Sequence, residues 1–447
     1  MPPLTIALVL LIYFALLYVV AYVTGRKANN ASYFKANKSA SWLLVAFGMI
    51  GTSLSGVTFV SVPGTVSNAG FQYFTLALGF FLGYFVVAFV LLPLYYRLNL
   101  TSIYTYLDHR FGKPAYPLGA TFFMLSRTMG ASLRLYLVVN VLQLLVMEAL
   151  GIPFAVTAML TLLMILAYTF KGGVKTIVWT DTLQTSFMLL SLVISVFYLK
   201  SNLHTSFAEL WSSLKQNKID TIFYTDYQDT KFFLKQIVGG IFVTITMTGL
   251  DQEMMQKNIS VKTLKDAQKN MLSFSVILVF VNFLFLILGA LLFLYAQQNN
   301  LQVKPDELFP TIALSNAFPS FVGILFIIGL ISALFPSADG AITALTSSFC
   351  LDILNLKNNP AIPLEEKLKF QKEFKDSSDA FNSQIALDYS GKLLKNNFKI
   401  TDANKGMDEA ILSKYKGFIP DTVDVLSTFA EGMGQVGAKV LTGIPSL

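Results

Sequence analysis

Gly48-Met49-Ile50-Gly51-Thr52-Ser53-Leu54-Ser55-Gly56-Val57-Thr58, continued by Val62-Pro63-Gly64, sits inside the apolar stretch Trp42–Val66. Glycine and proline weaken helix continuity. Serine and threonine re-satisfy the freed backbone groups only where protein or water, not lipid, surrounds them. The run therefore has two readings. One is close helix packing by small residues. The other is a broken helix lining a cavity, where irregular backbone presents carbonyl oxygens to a cation. A comparable interruption recurs in Phe232–Leu250, with Gly239-Gly240 and then Thr244, Thr246, Thr248 and Gly249. Two glycine-interrupted segments five positions apart in the order of spans form the pattern of inverted five-helix repeats.

Around this stretch the chain is apolar throughout. Of its 447 residues, 54% are apolar and 13% charged, and the mean hydropathy is +0.60. Soluble domains carry about 25% charged residues. Apolar segments run at Leu4–Thr24, Trp42–Val66, Phe71–Tyr95, Leu118–Leu150, Ile152–Phe170, Ile177–Leu199, Phe232–Leu250, Met271–Ala296 and Phe318–Leu356. Each is near the ~20 residues that cross a bilayer. A soluble enzyme, a collagen-like chain and a disordered chain are excluded. So is an outer-membrane barrel, whose strands alternate apolar and polar over ~10 residues. The fold class is an all-α, multi-pass membrane protein.

Chemistry is bounded as tightly. Cys350 is the single cysteine, and His109 and His204 are the only histidines. No disulfide, Cys-rich metal site, histidine metal cluster or Ser-His-Asp triad can be assembled from these. No nucleophile elbow is present, and the chain does not read as an enzyme. A net charge of +7 would suggest nucleic acid in a soluble protein, but membrane proteins place Lys and Arg in cytoplasmic loops. The first apolar segment has no basic residue before it and Arg26, Lys27, Lys35 and Lys38 after it. It reads as an uncleaved span with its N-terminus outside. Arg97, Arg110, Lys113, Lys171, Lys175, Lys257, Lys262 and Lys265 then fall on the inner side, and Ser201–Thr230 outside.

Ionisable residues within spans cost about 2.5–3.5 kcal/mol or more and are functional candidates. Arg127 and Arg134 lie seven apart in the fourth segment and share a helix face. They serve either as counter-ions to Asp181 and Asp339 or as guanidinium forks for an anionic substrate. Asp181, after Lys171-Gly172-Gly173-Val174-Lys175, is either a helix-start cap and dipole partner or a cation ligand. Asp339 lies beside Ser337 among Ala338, Gly340 and Ala341, where oxygen ligands suit Na⁺.

Three stretches now carry a resemblance. They are Gly172-Gly173-Val174-Lys175-Thr176-Ile177-Val178-Trp179-Thr180-Asp181-Thr182-Leu183-Gln184, then Leu92-Pro93-Leu94-Tyr95-Tyr96-Arg97 with Thr101–Leu107, and Asp339–Ser348 ending at Asp352. Over residues 1–356 the chain resembles the sodium:solute symporter family, which includes sodium-coupled glucose, proline, monocarboxylate, vitamin and sialic acid carriers. The resemblance implies an inverted-repeat (LeuT-like) transporter core with one extra N-terminal helix, about nine helices here. It implies Na⁺ as the co-transported ion and a small-molecule solute as the cargo. In the family's main sodium site, the carbonyl positions match Gly51, Leu54 and Ala333, and a hydroxyl ligand matches Ser337. The preceding position, usually a second hydroxyl, is Pro336. Asp181 and Asp339 match the neighbourhood of an additional sodium site in some members. Two carboxylates around one cation would offset the lost hydroxyl; alternatively, one stays protonated and a proton replaces the ion. Ser53, Ser55 and Thr58 match substrate-facing positions, Arg134 matches an arginine that meets a substrate carboxylate, and Thr244 and Phe74 are further candidates. Hydroxyls beside an arginine suit a hydroxylated organic acid of the sialic acid or monocarboxylate type.

The remaining stretch, 357–447, is interrupted by charge throughout and reads as a polar cytoplasmic tail. Gly432-Met433-Gly434-Gln435-Val436-Gly437 matches GxGxxG but follows no strand, so it is not a dinucleotide site. On this reading the second repeat stops after three of its five helices, and self-association is expected to cover the exposed faces. Two alternatives to a sodium-coupled symporter in the cell (inner or plasma) membrane follow: a non-transporting sensor on the same fold, or an inactive truncated carrier.

Overall fold

The computed structural model describes residues 3–26, 40–98, 100, 102–169, 173–217, 219–315 and 318–354. The chain divides into two units, Met1–Asp376 and Ser377–Leu447. The described residues all belong to the first. The polar tail, its GxGxxG sequence and the question of further spans fall outside the described residues.

Helix α1 (Pro3–Gly25) is followed by a bent pair, α2 (Trp42–Ser53) and α3 (Gly56–Ala69), with 63° between their axes. Next come α4 (Tyr73–Arg97), α5 (Thr105–Phe111), α6 (Ala115–Leu142), α7 (Phe154–Thr169) and α8 (Gly173–Asn202). The connection beyond α8 holds the short helix α9 (Phe207–Gln216), started by a capping box between Ser206 and Glu209. A second bent pair follows, α10 (Phe233–Gly249) and α11 (Gln252–Ile259), turned by 67°. Helices α12 (Leu264–Gln298), α13 (Pro305–Ala313) and α14 (Ser320–Ile353) complete the described chain. Among the described residues, 6 single helices and 2 bent pairs are long and apolar enough to cross a membrane, and α7 is a shorter apolar helix. The two bent pairs sit where the glycine-interrupted segments were expected, as inverted repeats require.

Each interrupted segment realises both readings of its small residues, at different positions. In the first, Gly48 and Gly51 pack on α8: a Cβ on Gly48 would stand 3.1 Å from the Asp181 Cβ, and one on Gly51 would collide with the Thr185 hydroxyl. The break follows at Leu54 and Ser55, both extended. In the second, Gly239 and Gly240 do not interrupt the helix. Gly240 allows α10 to cross α4, since a Cβ there would stand 2.6 Å from the Leu76 carbonyl oxygen and 2.9 Å from the Gly79 Cα. The break falls later, at Leu250 and Asp251, after a π-helical turn over Ile245–Gly249.

Helix α8 packs along α14 and α2, while α4 packs along α10, and α12 spans from α2 to α4. An aromatic knot of Phe59, Phe285, Phe309 and Phe326 closes the space between α3, α12, α13 and α14, with centroids 4.7 Å apart for Phe309 and Phe326. Phe59 is packing, as its burial predicts. The polarity is inverted relative to a water-soluble protein. Asp181, Gln184, Ser337 and Asp339 are fully buried, whereas Leu4, Phe242 and Phe280 are more than 60% exposed. Such large exposed apolar faces suit a multi-pass membrane protein.

Candidate functional site

The two breaks are capped by their own side chains. Ser55 Oγ accepts from the Thr58 amide at 3.4 Å, and the Asp251 carboxylate accepts from the Met254 amide at 3.0 Å. The carbonyls freed at the second break are met by tyrosines from the Leu92–Leu107 stretch: Tyr95 donates to Gly249 O at 2.8 Å and Tyr104 to Leu250 O at 3.2 Å. At the first break the end of α2 leaves carbonyls, including that of Gly51, without an in-helix partner. Gly51 lies against Pro336 of α14, and Gly56 lies against Leu334. The structure thus brings Gly51 and Leu54 beside the turn of α14 that holds Ala333 and Ser337. Ser337 Oγ donates to Leu334 O within that helix at 2.8 Å. Pro336 has no amide hydrogen, so it leaves the carbonyl of Ser332 without its helical donor. Ser332 Oγ in turn bonds Tyr13 of α1 at 2.7 Å.

The two buried carboxylates are held by different partners. Asp339 Oδ2 accepts from Tyr168 at 2.9 Å, and its Oδ1 has no hydrogen-bond partner among the described residues. Asp181 Oδ2 accepts from Lys257 Nζ at 2.7 Å and from Thr52 Oγ1 at 3.2 Å. Helix α8 begins at Gly173, so Asp181 is well inside it, which removes the cap reading. Lys257 is not a loop lysine either. It lies on α11, all of whose residues are buried, and its Nζ also donates to Thr52 Oγ1 at 2.6 Å. Among the described residues no three His, Cys, Asp or Glu gather to hold a metal ion. A cation here would rest on carbonyls, hydroxyls and single carboxylates.

A cavity of about 150 Å³ opens beside the breaks. Ser53, Leu54 and Thr58 line it from the first bent pair, Thr244 and Thr248 from α10, Arg127 and Arg134 from α6, and Tyr73 and Tyr84 from α4. Arg127 is not a counter-ion to Asp181 or Asp339. It pairs with Glu253 and lies 3.5 Å from Asp251 at the second break. Arg134 has no acidic partner among the described residues. Ser55 serves as the cap rather than lining the cavity, and Phe74 packs on Phe283 with centroids 5.3 Å apart. Asp251 and Glu253 went unnoticed in the sequence. Their signal is a polar Asp-Gln-Glu run directly after an apolar helix, with Glu253 and Lys257 at helical i,i+4 spacing.

Two broken helices of opposite repeats around a cavity, with ionisable residues at its wall, define a helical secondary transporter. The family model of the sodium:solute symporter family matches residues 33–368, and this chain belongs to that family. Sodium-coupled symport is therefore its class of activity, with Na⁺ as the co-transported ion. The sodium/sialic acid symporter SiaT of Proteus mirabilis (strain HI4320) is 24% identical over 391 residues, covering 83% of this chain and 75% of the relative. The sodium/sialic acid symporter NanT of Aliivibrio fischeri (strain ATCC 700601 / ES114) is 24% identical, covering 79% of this chain and 70% of the relative. The sodium-dependent multivitamin transporter of Oryctolagus cuniculus is 27% identical, but the match spans 59% of this chain and 42% of that protein. The solved structure of a Na⁺-coupled sialic acid symporter in a substrate-bound outward-open state shares the fold, with a TM-score of 0.75 at 22% identity over 86% of this chain and 80% of that one.

Proposed function

We propose that this protein couples sodium movement to the uptake of a small, carboxylate-bearing organic solute of the sialic acid or monocarboxylate type. The observation that carries the charge of the solute is Arg134. Its guanidinium lines the cavity without an acidic partner among the described residues, while Arg127 on the same wall is taken by Glu253. A guanidinium fork binds a carboxylate through two parallel bonds, and Ser53, Thr58 and Thr244 line the same cavity with hydroxyls that can meet hydroxyl groups of a solute. The kinship with sialic acid symporters supports the same chemistry.

In this proposal the carbonyls of Gly51, Leu54 and Ala333 and the hydroxyl of Ser337 hold the sodium ion, with Asp181 and Asp339 supplying charge nearby. The N-terminus lies outside, 357–447 lies in the cytoplasm, lipid covers the apolar faces, and copies self-associate. Uptake into reconstituted vesicles tests the central claim, with a sodium gradient set against choline. Short hydroxy- and keto-acids and sialic acid should enter only with sodium, and matched neutral sugars should not. Equal uptake of a neutral sugar and an acid would reject the carboxylate reading.

A further inference from the structure

Lys257 is 3% exposed, and its ammonium meets a hydroxyl and a carboxylate, the latter among the residues proposed above to act on sodium. Its Nζ lies 2.7 Å from Asp181 Oδ2 on α8 and 2.6 Å from Thr52 Oγ1, two residues before the break at Leu54. A hydroxyl at a helix break together with a buried carboxylate is an oxygen cage suited to a small hard cation. Here the cation in the cage is part of the chain. A second seat is also in place, on the oxygen of Glu253 that Arg127 leaves open, since Arg127 pairs with Oε2. Glu253 Oε1 lies 3.7 Å from the same Nζ, one helical turn back on α11. The Glu253 carboxylate rests against Gly340 of α14, where any side chain would collide with it. Moving the ammonium between these carboxylates asks only for side-chain rotation of a flexible lysine.

We propose that Lys257 is a tethered cation that competes with sodium for Asp181, so that sodium engages this carboxylate only when the ammonium leaves it for Glu253. Sodium must then displace a charge rather than fill an unoccupied carboxylate. The proposal rests on sodium coupling and not on the identity of the solute.

The test is a sodium titration of the purified full-length protein in detergent, with choline holding the ionic strength constant and thermal unfolding as the readout. No solute is present, so an error about the carboxylate substrate leaves the result untouched. Half-saturating sodium should fall at least tenfold in Lys257→Gln, where Asp181 loses its internal partner. The gain should vanish in Lys257→Gln/Asp181→Asn, which lacks the attracting carboxylate as well. Unchanged or weaker sodium binding in Lys257→Gln overturns the proposal, and so does a double variant that keeps the gain. A Lys257→Gln protein that does not fold even in saturating sodium overturns it too, because sodium would then be unable to take the ammonium's place.

Discussion

Seven residues apart on α6, Arg127 and Arg134 face one cavity, and what separates them is that Asp251 at the second break and Glu253 on α11 both reach Arg127. Glu253 is almost wholly buried and Arg127 is its direct ion-pair partner, so truncating Arg127 leaves this carboxylate only the more distant Lys257, 3.7 Å away. Arg127→Ala should lower stability by about 3–5 kcal/mol, read as a drop in melting temperature with or without solute. Arg134 carries no such duty. Arg134→Lys should leave the melting temperature in place and weaken acid transport about tenfold, since an ammonium keeps the charge but loses the two-pronged geometry. The half-saturating solute concentration in vesicle uptake separates the two. Equal affinity in Arg134→Lys would place the substrate carboxylate elsewhere.

At the level of whole helices, the small residues divide between crossing points and breaks. Gly79 and Gly240 let α4 and α10 touch backbone to backbone, whereas a Cβ on Gly239 would meet nothing within 4 Å among the described residues. Gly240→Val forces these helices apart and should cost about 1–3 kcal/mol by overpacking. Gly239→Ala should be neutral or slightly stabilising, because alanine favours helix over glycine by about 1 kcal/mol. Thermal unfolding of the two variants side by side checks this; equal losses would mean that the crossing is looser than its geometry implies.

Across the molecule, one carboxylate ties the end of α14 to two pieces of chain far from it in sequence. Asp352 at the end of α14 accepts from Ser102 at 2.8 Å, Tyr116 of α6 at 2.7 Å and Ser348 at 2.6 Å. Two of these bonds tie α14 to segments beyond α4, so they hold this end of the bundle closed. The single cysteine of the chain, Cys350, lies beside them at 2% exposure and serves as a native reporter. Bonds to a charged group contribute about 1.5–3 kcal/mol each. Asp352→Ala should therefore speed maleimide labelling of Cys350 at least tenfold, with Cys350→Ser as the blank. An unchanged labelling rate would show that other contacts keep this end shut.

The spans and the two interrupted segments were legible in the sequence because membrane burial writes itself as long apolar runs, and because glycine, proline and hydroxyl residues inside such runs have few uses. The hydroxyls near Leu54, and Arg134 on the cavity wall, followed from the same logic together with the family's motifs. The position of the second break did not. Gly239-Gly240 looks like an interruption along the chain, yet α4 arrives with Gly79 to fill that gap, and the helix ends instead at Leu250. The pairing of charges was equally hidden. Lys257, counted by its neighbours, belongs with the basic loop residues Lys262 and Lys265; only the 67° turn after Gly249 carries it inward to Asp181. Composition and periodicity record which solvent each segment prefers, a property of short stretches. Which charge meets which depends on contacts between residues 76 positions apart, as in Lys257 and Asp181, and these exist only once the helices have packed.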